Sequence, residues 1–125
     1  MRKSIVVLDA DHNHCSLLCS LLDENRYSTK PIHSIQHLES NIQQCNCLAV
    51  ILDIDSIPVD NRRIRDLALK YPDTRFLCTS KDPFHPELKD AICYHIYACL
   101  NKPIDPDELL FWIKSIYEEE NVPDT

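Results

Sequence analysis

The sequence predicts a doubly wound α/β domain in which a β-strand and an α-helix alternate five times. Three observations carry this. Short, nearly continuous apolar runs recur along the chain, the pattern of parallel strands buried on both faces. Between them lie segments with one apolar stripe at helical spacing. The length, 125 residues, suits one domain able to bury roughly two-thirds of its unfolded surface.

The first strand is "SIVVLD" (4–9), and residues 12–25 follow as a helix with Cys15, Leu18, Leu21 and Leu22 on one stripe. "STKPIH" (28–33) is a weaker strand. Pro31 within it has no N–H for a ladder, which assigns it to a sheet edge. A short helix is expected over 35–44, with Ser34 as its cap. "LAVILD" (48–53) is the third strand, and the helix over 61–71 aligns Ile64, Leu67, Ala68 and Tyr71. "RFLCT" (75–79) is the fourth, followed by a helix over 86–95 with Leu88, Ala91 and Ile92 inward. "IYACLN" (96–101) is the fifth. In the last helix Asp105 is the cap, Pro106 takes the first helical position, and Glu108 completes a capping-box-like pattern. Leu109, Ile113, Ile116 and Tyr117 form its buried stripe, which leaves Phe111 facing outward, as Tyr94 does on the fourth helix. Right-handed crossovers place these helices on both faces of the sheet. No linker interrupts the pattern, so one domain is expected over 1–119, with a frayed tail over 120–125.

Composition narrows the function. The net charge of −7 argues against nucleic acid or an anionic membrane as a direct partner, because both require basic patches. An acidic surface suits a divalent cation or a basic protein. No run approaches the ~18 apolar residues of a membrane span, and the basic start "MRKSIVVLDAD" has too short an apolar stretch for a signal peptide. A cytoplasmic location is therefore expected. The seven cysteines form no C-x-x-C pair and read as small buried hydrophobes in a reducing compartment. "HNHC" (12–15) and "CNC" (45–47) lack the spacing of a zinc site, and His12 and His14 are expected to face solvent. The chain has no glycine. Gly-rich phosphate loops are thereby excluded, and with them most nucleotide-binding enzymes.

Ligands of open parallel sheets bind beyond the carboxyl ends of the strands. Here those ends carry Asp9, Asp53, Thr79-Ser80 and Asn101-Lys102-Pro103. Two carboxylates, a hydroxyl and a lysine on one rim are the parts needed for phosphoryl transfer to an aspartate.

At these residues the chain resembles the receiver (CheY-like) domain of two-component response regulators. The resemblance rests on "VVLDAD", "VILDIDSIPVDN", "FLCTS" and "LNKPIDPDELL", in that order and suitably separated over almost the whole chain. It implies a flavodoxin-like sandwich with strand order 2-1-3-4-5. It also implies that Asp53 is the phosphoacceptor, that Asp9 and Asp53 help bind Mg²⁺, and that the backbone carbonyl of Asp55 is a further metal ligand. Thr79 would hydrogen-bond the phosphoryl group and Lys102 would pair with it. The bond before Pro103 is a candidate cis peptide.

Several positions depart from the family pattern. Ala10 stands where a second acidic residue is usual, Pro58 comes one residue late, Asn61 replaces a glycine, and Cys99 takes the place of an inward-swinging aromatic or histidine. Tyr97 is two residues before Cys99, on what the strand alternation makes the same face. Losing a carboxylate should weaken Mg²⁺ binding. Asp11 or the Asp55 side chain could compensate; alternatively, Asp11 is the N-cap of the first helix.

The resemblance implies a phosphorelay protein that accepts a phosphoryl group from a histidine kinase or phosphotransfer protein and switches an interaction surface toward an output domain or effector. It would be no enzyme beyond its own phosphorylation and dephosphorylation. The fourth helix, fifth strand and fifth helix would form the surface for a partner or a homodimer. The alternative is a phosphorylation-independent pseudo-receiver, an interaction module favoured by Ala10, Cys99 and the altered loop after Asp53.

Overall fold

The computed structural model describes residues 3–82 and 88–121, apart from the side chains of Cys93, Glu120 and Asn121. Its elements are β1 (Lys3–Leu8), α1 (His12–Glu24), β2 (Ser28–Ile32), α2 (Leu38–Gln44) and β3 (Asn46–Asp53), then α3 (Asn61–Lys70), β4 (Arg75–Ser80), α4 (Lys89–Tyr94), β5 (Ala98–Asn101) and α5 (Pro106–Asn121). The strands form one sheet in the order β2-β1-β3-β4-β5, parallel at every pairing.

The continuous apolar runs follow from this layering. Ile5, Val7, Ala49, Ile51, Leu77 and Leu100 pack with Cys15, Leu18 and Leu22 of α1 and with Leu109, Ile113 and Ile116 of α5. The alternate residues Val6, Leu8, Val50, Leu52 and Phe76 pack with Leu38, Ile42, Ile64, Leu67, Leu88 and Ala91 on the other face. Both sides of each central strand are dry, which is why its run is almost continuously apolar up to the strand end. Pro31 lies on the edge strand β2, opposite Val7.

Three local differences from the sequence expectation have physical causes. The helix expected over 35–44 is split. Ser34 accepts from Gln36 N–H and caps a 3₁₀ turn, Ile35–His37, while α2 begins only at Leu38. The stripe of α1 includes Cys19, which is buried, while Leu21 is only half-buried. Not all cysteines are buried: Cys15, Cys19, Cys47 and Cys78 are, but Cys45 is partly open and Cys99 is exposed. β5 is a sheet edge, and only Leu100, on its α5 side, is covered fully. Residues 86 and 87 of the expected fourth helix and 122–125 of the expected tail lie outside the described residues; α5 itself continues to Asn121. Among the described residues no helix is long and apolar enough to cross a membrane.

A chain without glycine still needs a left-handed residue to end a helix. Arg26 takes that role after α1, with φ of 71°. Arg26 N–H donates to Asp23 C=O at 3.0 Å and Tyr27 N–H to Leu22 C=O at 3.0 Å, the paired bonds of a Schellman motif in which glycine is usual. The Lys102–Pro103 peptide bond is cis, as the resemblance implied.

Candidate functional site

Sheet register assembles the site. Asp53, the last residue of β3, lies opposite Thr79 of β4. Ser80 lies opposite Asn101 of β5, and Lys102 N–H donates to Ser80 C=O at 2.9 Å. Asp9 follows β1, whose neighbours are β2 and β3. The four residues thus meet where the strand order reverses, the usual ligand position in such sheets.

Asp53 is only 2% exposed and Asp9 1%. Lys102 Nζ lies 2.6 Å from Asp53 Oδ1 and 3.2 Å from Asp55 Oδ2, and Thr79 Oγ1 donates to Asp53 Oδ1 at 3.0 Å. Burial alone would raise the Asp53 carboxyl. Hydrogen bonds from Lys102, Ser56 and Thr79, with the Lys102 charge, outweigh it and hold the carboxyl below its ordinary range. The same contest lowers Asp55, which accepts from Lys81 N–H and from Ser80 and Lys102. Burial pulls Lys102 down, but Asp53 and Asp55 raise it above its usual value. At neutral pH the site therefore holds an ionised carboxylate beside a charged amine.

Sequence reasoning missed Ser56. Its hydroxyl lies 2.7 Å from Asp53 Oδ2 and 3.2 Å from Asp9 Oδ1, and it accepts from Ala10 N–H at 3.1 Å. Serine in a polar loop carries no spacing signal, and only the fold brings it between the carboxylates. His14 is a correction: it turns inward, its Nδ1 bonded to Asp9 Oδ2, because the first turn of α1 rises over the end of β1. His12 is exposed, as expected, and stacks on His33 with centroids 3.7 Å apart. His33 Nδ1 in turn reaches Asp9 C=O at 2.9 Å. Asp11 caps α1, accepting from Asn13 and His14 N–H. Tyr97 packs on the α5 side, its ring edge-on to Trp112 with centroids 5.7 Å apart, and so does not share the face of Cys99.

The donor set fits a hard divalent cation. A hydroxyl has one proton, so Ser56 can donate to only one of the two carboxylates it touches. Asp53 and Asp55, both held below the ordinary carboxyl range, outnumber the one Lys102 cation that faces them. Among the described residues no three or more His, Cys, Asp or Glu side chains are grouped to hold a metal. Mg²⁺ does not require that: one or two carboxylates, other oxygens and retained waters suffice. Asp9, Asp53, Ser56 Oγ and the Asp55 carbonyl are the oxygens in question.

Beside Lys102 a cleft of about 350 Å³ opens between α1 and the start of α5, lined mainly by Leu17, Leu18, Leu21, Pro103 and Ile104. Leu17 is 69% exposed at its edge. A concavity of about 410 Å³ lies at the other end of the sheet, along Leu69, Phe76 and Tyr94; it contains none of the site residues.

No family model matches this sequence, and no curated protein does. Solved structures match at the level of fold. A signal receiver domain of an HD domain-containing protein from Pseudomonas fluorescens Pf-5 is similar over 97% of this chain and 94% of its own, with 21% identity and a TM-score of 0.80. The fold is that of a CheY-like receiver domain. A CheY-like receiver domain protein from Methanospirillum hungatei agrees over 96% of this chain and 98% of its own, at 16% identity and a TM-score of 0.83. NtrX from Brucella abortus matches over 95% of this chain but 27% of its own, at 19% identity and a TM-score of 0.79. The receiver fold thus also occurs as one part of a longer chain.

Proposed function

We propose that this domain is a phosphorelay receiver that accepts a phosphoryl group on Asp53 from a phosphohistidine of a kinase or phosphotransfer protein. The observation that carries this is the arrangement on one carboxylate oxygen: Lys102 Nζ at 2.6 Å and Thr79 Oγ1 at 3.0 Å on Asp53 Oδ1. A carboxylate buried so deeply beside two further acids is costly unless something pairs with it.

In the reaction an Asp53 oxygen attacks phosphorus, the new P–O bond forms, and the P–N bond to the donor imidazole breaks with its electron pair staying on nitrogen. Lys102 and Thr79 then stand within reach of the phosphoryl oxygens, and their cation and hydroxyl stabilise the charge that develops there. Asp9, Asp53 and the Asp55 carbonyl would hold Mg²⁺, which would supply electrostatic stabilisation of that charge. The apolar cleft between α1 and α5 gives a donor helix a surface beside the acceptor. Movement of Thr79 and Lys102 toward the phosphoryl group biases a conformational equilibrium and alters the surface of α4, β5 and α5. Phe111 and Tyr94, 60% and 79% exposed, lie on that surface, which serves an output domain, an effector or a second copy of the chain. The domain catalyses only its own phosphorylation and dephosphorylation, and acts in the cytoplasm.

A second reading, the phosphorylation-independent interaction module, is favoured by Ala10, by Asp11 being taken up in the cap and by Ser56 lying between the carboxylates. Intact mass after incubation with acetyl phosphate and Mg²⁺ separates the two. A single phosphoryl adduct on the native chain and none on Asp53→Asn is the expected result. If the folded native chain gains nothing from acetyl phosphate or from a panel of phosphorylated histidine phosphotransfer domains, the second reading replaces the first.

A further inference from the structure

Cys78 and Cys99 stand directly opposite each other on adjacent parallel strands. Neighbouring strands in such a pair are about 4.8 Å apart, inside the range of Cα separations that a disulfide spans. One thiol is exposed and the other buried. Their sulfurs interact: a hydrogen bond to Cys99 is the leading influence that raises the Cys78 thiol, ahead of burial. The other described cysteines are placed differently. Cys15 and Cys19 are both buried on one helix and Cys47 is buried on a central strand, so an oxidant in solvent does not meet them first. Cys45 is partly open, two residues before Cys47 on the same segment, with its thiol donating to Asn41 C=O at 2.8 Å.

We propose that Cys78 and Cys99 form a redox modification site, an accessible thiol with a buried resolving thiol beside it, that hydrogen peroxide converts to a disulfide. The chemistry takes two steps. Cys99 sulfur attacks the peroxide; an S–O bond forms, the O–O bond breaks, and the departing hydroxide takes the thiol proton to leave as water. Cys78 sulfur then attacks the Cys99 sulfenic acid; the S–S bond forms, the S–O bond breaks, and hydroxide leaves with the Cys78 proton as a second water. Two thiols are oxidised and one peroxide is reduced. Excess thiol reverses the bond by exchange.

The position gives the modification something to act on. Cys78 precedes Thr79 on β4, and Cys99 lies three residues before Lys102, the two partners of Asp53 Oδ1. A covalent link between these strands ties together the two segments that carry the hydroxyl and the amine.

The test is peptide mapping of the full chain after brief exposure to hydrogen peroxide, with remaining thiols alkylated. The expected product is one intramolecular cross-link joining the Cys78 and Cys99 peptides, lighter by two hydrogens and removed by dithiothreitol. Cys99→Ser should abolish it, and that substitution is on the surface and spares the core. Cys78→Ala should leave Cys99 as a sulfenic acid that dimedone traps. Three results each overturn the proposal: Cys99 linked between two chains, Cys99 over-oxidised with Cys78 still alkylated after denaturation, or no reaction at Cys99 while the fold is intact.

Discussion

At the scale of single residues, the site is an imbalance of charge under low exposure. Asp53, with its carboxyl below the ordinary 3.8, stabilises the fold fully above that ordinary value and loses the contribution as pH falls through the lower native one. Lys102, raised above 10.5, contributes below 10.5 and loses it as pH rises through its native value. Lys102→Met leaves the buried Asp53 and its neighbour Asp55 without their cation. It should cost about 3 kcal/mol at neutral pH. At a pH below 3.8, where Asp53 protonates through its lowered native value, the difference from the native chain should shrink. Urea denaturation at the two pH values measures both, and an equal cost at each would mean that Lys102 acts by packing alone. The role of Asp11 is settled by a separate pair of readings. As a cap, Asp11→Ala should lower stability by about 1 kcal/mol and leave the rise in Tm expected of the proposed Mg²⁺ binding unchanged. Loss of that rise would make Asp11 a ligand.

At the scale of elements, the helix ends bear the consequence of a glycine-free sequence. Arg26 holds a left-handed conformation that costs a residue with a Cβ roughly 1–2 kcal/mol. Arg26→Gly removes that strain but adds chain entropy to the unfolded state. The net expectation is a gain of about 0.5 kcal/mol, seen as a higher urea midpoint with unchanged slope; a loss would show that the Arg26 side chain contributes more than its backbone costs. The last helix was legible because its signals are local: Asp107 N–H donates to Asp105 Oδ1 at 2.9 Å, with Pro106 at the first helical position. The 35–44 segment was not legible in the same way. A Ser cap reads identically before a 3₁₀ turn and an α-helix, and Ser34 satisfies only the former.

At the scale of the whole molecule, a sheet covered on both faces makes neighbouring strand residues equally costly to truncate. Phe76 and Leu77 are adjacent on β4 yet belong to opposite core layers, 3% and 0% exposed. Phe76→Ala and Leu77→Ala should each cost about 3–4 kcal/mol in chemical denaturation. A half-covered sheet would spare one of the pair, and a cost below about 1 kcal/mol for either would contradict the layering described here.

The sequence by itself determined the class of fold, because apolar runs of strand length and stripes of helical period are one-dimensional signals of which faces are dry. It also marked Asp9, Asp53, Thr79 and Lys102, since each ends a strand and a parallel sheet gathers those ends on one rim. Tertiary structure decided what stands between them. Ser56 bridges two carboxylates, His14 turns onto Asp9, and Cys99 meets Cys78 across β4 and β5. Those contacts join residues 3 to 47 positions apart. Their distances are set by strand register, loop path and the pitch of α1 over the sheet, none of which leaves a periodic trace in the chain.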